Sequence, residues 1–485
     1  MRKRLFIFFF WLFGFTVHPA KNDKKGSITI LIDGLSYHAL IDAIKKGYCP
    51  TLKKMSVSSP IHKYFCGLPA STTATEALLF YGNNQNIPGF TWYDRSLKQF
   101  VRGNRSAELA LFEDAYPKKR NLFKNGSVIM GVYTGGATEL SLSGRDIKLP
   151  KSMYVFKTVH YLFMAFLYPI QLIRTIYLTL KTLILYRKSN KHSSLQTFSK
   201  IFLGQFSCFL TEIEIMRNTE KIFVDFLLYD EYAHEYGPTH SNTLSTLRLV
   251  DRYLNRILST SQRSDRKYEI IVLSDHGQTD SIPFDFPVEK SIKDIACALS
   301  NREVKVIKTY GGVSPNAQSN ELYCVPAGST LQLYFSKNLS NPLLEHEISI
   351  LYPEFISRLL RCDEFGWVLV RRSQTSSVLY GKTGTVLFSH EKSPVLMGAL
   401  FSQVAKNESQ ELLKSFNTYC TFSNNGDIVL FGNVTTQMKV YSFEKHKGTH
   451  GGFHGPMVYP FFMSSNPLIK GSSMEALFDT IEEVI

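Results

Sequence analysis

The sequence predicts an α/β fold: a central, mostly parallel sheet sandwiched by helices, with a smaller α+β insertion. Three observations predict it. Short apolar runs rich in β-branched and aromatic residues stop abruptly at Asp or Asp-His. Segments with helical periodicity alternate with those runs. Between Gly311 and Glu444 the texture changes to brief strand-like runs separated by Gly, Ser and Asn.

The runs come first. In KIFVDFLLYDEYAHEYGP, residues 221–238, the apolar stretch Ile222–Leu228 ends at Tyr229-Asp230, and Asp230-x-x-x-His234 precedes a Gly237-Pro238 turn. An Asp and a His four residues apart reach one cation if a single helical turn joins them. In YEIIVLSDHG, residues 268–277, the run ends at Asp275-His276. In SITILIDG, residues 27–34, it ends at Asp33. Ligands of open α/β sheets collect at the carboxyl ends of the strands. Three such endings bring five oxygen and nitrogen donors to one rim, more than one zinc needs and suited to two.

Other elements follow in order. Tyr37–Lys46 reads as a helix closed by Gly47 and Pro50. In PASTTATEALLFYG, residues 69–82, a Ser/Thr cluster leads into an apolar helix over Glu76–Tyr81. Hydroxyls there suit a helix cap, and a helix N-terminus also suits phosphate. Ser127–Thr134 is a further strand candidate. Residues 151–189 form an apolar helical insertion, whose longest uncharged stretch, Thr158–Ile173, is interrupted by Pro169. It is short for a transmembrane span. A segment lying on a membrane surface and a hairpin buried against the domain are both open readings. Thr243–Leu258 carries Leu244, Leu247, Val250, Leu254 and Leu258 on one helical face, and Phe284–Ser300 continues the α/β pattern. In the 311–444 region, Leu331–Phe335, Trp367–Arg371, Thr385–Phe388 and Ile428–Phe431 read as strands, while Pro353 breaks a helix over Leu343–Arg361.

The division that results has a signal peptide or N-terminal anchor at 1–20. A core is formed by 27–310 with 445–485, and 311–444 is an inserted cap. Arg2-Lys3-Arg4 before the apolar Leu5–Phe15 matches a secretory leader, so the protein is expected outside the cytoplasm: secreted, periplasmic or membrane-anchored. The net charge is +14, from 55 Lys and Arg against 41 Asp and Glu. That suits anionic lipid or polyphosphate, or a solvated basic surface, and no nucleic-acid-binding motif accompanies it. Seven scattered cysteines form no Cys-x-x-Cys pair, which disfavours a cysteine-bound metal and leaves isolated thiols and disulfides both open. Oligomeric state is not legible.

Near the end, His446-Lys-Gly-Thr-His450-Gly-Gly-Phe-His454 sets three imidazoles among glycines. Histidine is the common zinc donor, and glycine permits close backbone approach. The ordered set Asp33, Pro69-x-x-Thr72, Asp230-x-x-x-His234-x-x-Gly237-Pro238, Ser274-Asp275-His276-Gly277 and His450-Gly451 resembles the alkaline phosphatase superfamily. Within it, the set is most similar to the type I phosphodiesterase / nucleotide pyrophosphatase family. The resemblance covers 27–310 and returns at 445–470. It implies an alkaline-phosphatase-like sandwich and two zinc ions, other divalent cations fitting the same donors. Asp230, His234 and His450 would hold one ion, with His454, and even His446, as alternative ligands. Asp33, Thr72, Asp275 and His276 would hold the other. It also implies Thr72 as nucleophile, because Gly82 follows at the family spacing; Thr73 is the neighbouring alternative. The family's Asn three residues after the nucleophile is replaced by Thr75, so Thr75 and Thr73 are the substrate-binding candidates. Thr91–Tyr93 lacks the family's later Asn, and Pro88-Gly89 stands where it has His-Gly.

A threonine hydroxyl needs a base or a metal to act as nucleophile at neutral pH. The expected reaction is zinc-dependent hydrolysis of a phosphodiester, of nucleotide or phospholipid type, through phospho-Thr72. A phosphomonoesterase or a phosphoethanolamine-type transferase of the same superfamily is the alternative, followed by a non-catalytic binding module. Phe90, Trp92 and Tyr93 fit either stacking on a base or core packing.

Overall fold

The computed structural model describes residues 25–145, 168–189, 195–299, 305–308, 321–336, 339–389, 392–398 and 406–485. The leader expected at 1–20 and residues 151–167 of the expected apolar insertion lie outside the described residues.

The strand Lys25–Ile32 is the axis of a seven-stranded sheet. It pairs in parallel with Lys221–Phe226 on one side and Lys267–Leu273 on the other. Ser127–Ile129 and Leu140–Leu142 extend the parallel set, and the opposite edge is closed by antiparallel Phe461–Ser464 and Ile61–Lys63. The fold is therefore α/β with a mostly parallel sheet. Buried on both faces, the strands need no polar alternation, which is why they read as near-continuous apolar runs. Ile28, Ile30, Ile32, Ile222, Val224 and Phe226 face one buried cluster, shared with helices Tyr37–Lys45, Leu195–Met216 and Ser241–Ser261. Leu31, Phe223 and Leu273 face the other, filled by helix Thr72–Tyr81.

Several boundaries move. The 37–46 helix ends at Lys45 and starts on Ser36, whose hydroxyl accepts from the Ala39 amide at 3.1 Å. The apolar helix expected from Glu76 begins four residues earlier, at Thr72, and is buried along its whole length. Ser127–Thr134 is strand only as far as Ile129. Pro169 does not interrupt a helix but opens one, Pro169–Ser189, where its missing N–H costs nothing. Among the described residues no helix is long and apolar enough to cross a membrane.

The expected strands of the 311–444 region lie in an eight-stranded, mostly antiparallel sheet, and Pro353 separates helices Glu345–Leu351 and Phe355–Arg361. This sheet is not a detached lid. Its Leu369, Leu379, Val386 and Phe388 belong to the same buried cluster as Ala74, Ala77 and Phe80 of the Thr72 helix. Strand Thr279–Pro283 pairs with Val440–Ser442 and with Gly448–Thr449, which swings the 446–450 histidines back over the rim of the first sheet. The six described cysteines are unbridged thiols.

Candidate active site

Strand register sets the site. Ile32 lies level with Phe226, and Leu31 with Leu273, so Asp33, the turn after Phe226 and Ser274-Asp275 leave the sheet at one height. Helix Leu228–Tyr236 starts at that turn and puts Asp230 and His234 on one face, with His234 Nε2 3.1 Å from Asp230 Oδ2. Three of the histidines are oriented in the same way. A backbone carbonyl accepts from Nδ1 of His234 (Gly448, 2.9 Å), His276 (Gly277, 2.9 Å) and His450 (Ala70, 2.8 Å). That tautomer leaves each Nε2 with a lone pair for a cation.

Two groups of donor atoms result, each within 4.8 Å: Asp33 with Asp275 and His276, and Asp230 with His276 and His450. His276 belongs to both. His234 joins through Asp230 rather than through His450. Thr72, the first residue of its helix, holds Oγ1 3.2 Å from His276 Nε2 and lines the cavity above the ligands. Asp33 Oδ1 and Asp275 Oδ2 are buried without hydrogen-bond partners, and Asp275 Oδ1 accepts from the Gly34 amide at 3.1 Å. Buried orphan carboxylate oxygens beside inward-facing imidazole nitrogens are the donor set of a divalent-cation site.

Electrostatics agree. Burial, then the charges of Asp275, Asp230, Asp225 and Glu76, push the Asp33 carboxyl well above its ordinary range. Burial opposes charge on Asp230 too, but His234, with His450 and His276, outweighs it and holds that carboxyl well below the usual range. His234 is raised to about 9, Asp230 overcoming the effect of burial, so a cation taken up there would have to displace the proton that His234 shares with Asp230. Burial and the neighbouring His276 hold His450 well below its usual value, in the neutral form a ligand needs.

Not every candidate arrives. Thr73 donates its hydroxyl to the Gly89 carbonyl at 2.9 Å, and Thr75 donates to the Asp275 carbonyl at 3.4 Å. Both are fully buried, and neither is among the residues that line the cavity. His454 is not with the other histidines: its ring stacks between Trp367 and Phe453 and lines a separate cavity, which corrects its reading as a spare ligand. Trp92 and Tyr93 are core, whereas Phe90 lines the catalytic cavity.

The sequence did not single out four contributors. Gln278 donates from Nε2 to Asp230 Oδ1 and, at 3.1 Å, to the Asp230 carbonyl. Gly34, at φ +71°, passes so near that a Cβ there would lie 2.3 Å from Asp230 Oδ1. Glu76 and Asp225 are fully buried carboxylates beneath the site; neither oxygen of Asp225 has a partner, and burial followed by Glu76 raises its pKa well above the ordinary range. An Asp inside an otherwise apolar strand, KIFVDF, was the legible signal for it.

The cavity over these groups has a volume of about 530 Å³, and Phe90, Arg102, Glu444 and His446 form part of its wall. It is open enough for a small phosphoester.

Known proteins can be set beside this geometry. The family model described as type I phosphodiesterase / nucleotide pyrophosphatase matches residues 27–321. No curated protein sequence matches the chain. Among solved structures, phosphonoacetate hydrolase from Sinorhizobium meliloti 1021, in complex with phosphonoformate, is similar at 13% identity and TM-score 0.49, over 95% of each chain. Murine ectonucleotide pyrophosphatase / phosphodiesterase 5 is similar at 11% identity and TM-score 0.49, again over 95% of each chain. The family match spans more than half of the chain and takes in the Asp33, Thr72, Asp230-x-x-x-His234 and Asp275-His276 elements. The chain thus belongs to the type I phosphodiesterase / nucleotide pyrophosphatase family of the alkaline phosphatase superfamily, and is a phosphoester hydrolase.

Proposed function

We propose that the protein is an exported zinc phosphodiesterase that works through a phosphothreonine at Thr72. The observation that carries this reading is the convergence of Thr72 Oγ1, at a helix N-terminus, on a nitrogen common to two ligand groups under one open cavity. Asp33, Asp275, His276 and Thr72 would hold one divalent ion, and Asp230, His234 and His450 the other. Two ions held there would supply Lewis-acid stabilisation of the attacking and leaving oxygens.

The chain's own contribution is placement. Carbonyls of Gly277, Gly448 and Ala70 fix the imidazoles, Gly34 and Gln278 fix the carboxylates, and the positive end of the Thr72 helix faces the phosphoryl group. As the bond from Thr72 Oγ1 to phosphorus forms, the P–O bond to the alcohol breaks. Water then cleaves the phosphothreonine. Export is supported by Arg2-Lys3-Arg4 and the apolar Leu5–Phe15.

The test compares hydrolysis of bis-p-nitrophenyl phosphate and p-nitrophenyl phosphate, with and without chelator, and measures zinc per chain. Chelator-sensitive preference for the diester is expected. Preference for the monoester would replace this reading with a phosphatase, and turnover insensitive to chelator would remove the metal from it.

A further inference from the structure

Helices that pack on a protein turn apolar side chains inward and polar ones outward. Pro169–Ser189 departs from this. Leu172 packs partly buried against the core, but among the described side chains of the helix the buried positions are Thr175, Thr179 and Thr182. They face a polar ridge, where Arg256 donates to Thr175 Oγ1 at 3.3 Å, to Gln205 at 2.8 Å and to Glu212. Its outer side carries Ile170, Ile173, Tyr177, Leu180 and Ile184, each more than half exposed, in a continuous stripe at helical spacing. A helix with polar contacts inside and an apolar stripe outside is built for an apolar phase on its outer side.

Charge narrows the choice of that phase. From Ile147 to Thr211 the sequence has no acidic residue and nine Lys and Arg, a large share of the chain's +14. A second copy would set two such cationic surfaces against each other, and residues 147–167 of the same chain, apolar in sequence, add Lys148, Lys151 and Lys157 to the positive charge of this region. An anionic lipid surface matches both the stripe and the charge.

The position of the helix adds a consequence. Gln171 Nε2 meets Met216 Sδ at 3.3 Å, so the helix begins at the far end of Leu195–Met216 and runs back towards the carboxyl edge of the sheet. There Lys200 pairs with Glu231 at 2.8 Å, and Lys200 and Leu203 line a cleft that shares Met130, Leu227 and Glu231 with the catalytic cavity. Exposed Phe202 and Leu203 extend the apolar surface at that end.

We propose that the outer face of Pro169–Ser189 lies on an anionic bilayer, with the Ile170–Ile184 stripe in the acyl boundary and the catalytic mouth beside the headgroups. The helix lies on the membrane and does not span it. Docking this way holds the enzyme next to lipid-borne phosphodiesters, independently of whether Thr72 is the nucleophile.

The test is sedimentation of the full chain with vesicles of phosphatidylcholine containing about 30% phosphatidylserine, and with phosphatidylcholine alone. Ile173→Asp/Leu180→Asp is compared with Val57→Asp/Leu468→Asp, which removes two exposed apolar residues elsewhere. The wild type and the Val57/Leu468 variant are expected to bind the anionic vesicles, and the Ile173/Leu180 variant to bind at least about tenfold more weakly. Melting temperature and soluble-diester turnover should be equal in all three. If the Asp pair fails to fold, Ile173→Gln/Leu180→Gln gives the same reading without added charge. Wild type that ignores anionic vesicles, or two variants that bind alike, overturns the proposal. So does a lipid-free dimer that only the stripe variant dissociates, which would make the face a seam between copies.

Discussion

Gly34→Ala is the perturbation whose effect the structure sets most directly. The residue sits at φ +71°, where a side chain costs about 1–2 kcal/mol of backbone strain. Its new Cβ would stand 2.3 Å from Asp230 Oδ1, with Asp230 Cβ and Cγ at 3.0 Å, where 3.4 Å begins ordinary contact. Asp230 must therefore move by about 1 Å, which disturbs its contacts with Gln278 and His234, and a shift of that size is worth about 100-fold in rate. Gly47→Ala is the control. It has nearly the same φ, +76°, but nothing within 4 Å of the added Cβ. Gly47→Ala should lose only about 1–2 °C of thermal stability in a chain of this size, and Gly34→Ala more, because the clash with Asp230 adds to the same backbone strain. Only Gly34→Ala should lose about 100-fold in kcat/KM towards bis-p-nitrophenyl phosphate, together with part of its bound metal. Turnover by Gly34→Ala within about threefold of Gly47→Ala would refute the argument that Asp230 placement limits the reaction.

Thr72→Ala should abolish turnover while keeping metal, whereas Thr73→Ala, whose hydroxyl serves only Gly89 and Ser71, should keep most activity; steady-state rates with metal analysis decide, and equal losses would reopen the choice of nucleophile. His450→Ala should lose zinc and His454→Ala should not, since His454 packs against Trp367; metal content measured after dialysis checks both. The folded-state pKa of Asp225 is raised by burial and then Glu76, so the stability its protonated form provides is full below about 3.9 and lost as pH rises through the folded value. Asp225→Asn should then raise the melting temperature of chelated protein at pH 8, by a margin that shrinks towards pH 4. A margin that is constant or reversed would mean that Asp225 is not a charged burden.

Strand ends were legible because an acid closing an apolar run violates the pattern that buried parallel strands impose, and Asp33, Asp230 and Asp275 all did so. The histidines were legible as a set, but not their division. What separates His450 from His454 is a short strand, Gly448–Thr449, pairing with Thr279–Pro283, a long-range contact that no local spacing encodes. The surroundings of the Thr73 and Thr75 hydroxyls were not legible for a related reason: a carbonyl at Gly89 and another at Asp275 accept from them, and only the folded chain brings those carbonyls near. Gln278 and Gly34 carry no chemical signature of their own. They matter through an approach to Asp230 that is visible only in three dimensions. The Pro169 helix looked ambiguous in sequence because its apolar stripe was plain, while the direction it faces depends on Arg256, far along the chain.

The order in which the candidate ligands occur has a bearing on biosynthesis. They begin at Asp33 and end at His450, in a chain of 485 residues. A nascent chain carries the carboxylates long before the last imidazole emerges, so the donors of the Asp33–Asp275–His276 group are all present once His276 is made, whereas the group that includes His450 stays incomplete until that residue appears. The two groups would then become able to take up metal at different times, the one that needs His450 last. A polypeptide cut short before His450 would retain all the crowded acids but lack one imidazole of the second donor group, and with it a counterweight to the charge of Asp230.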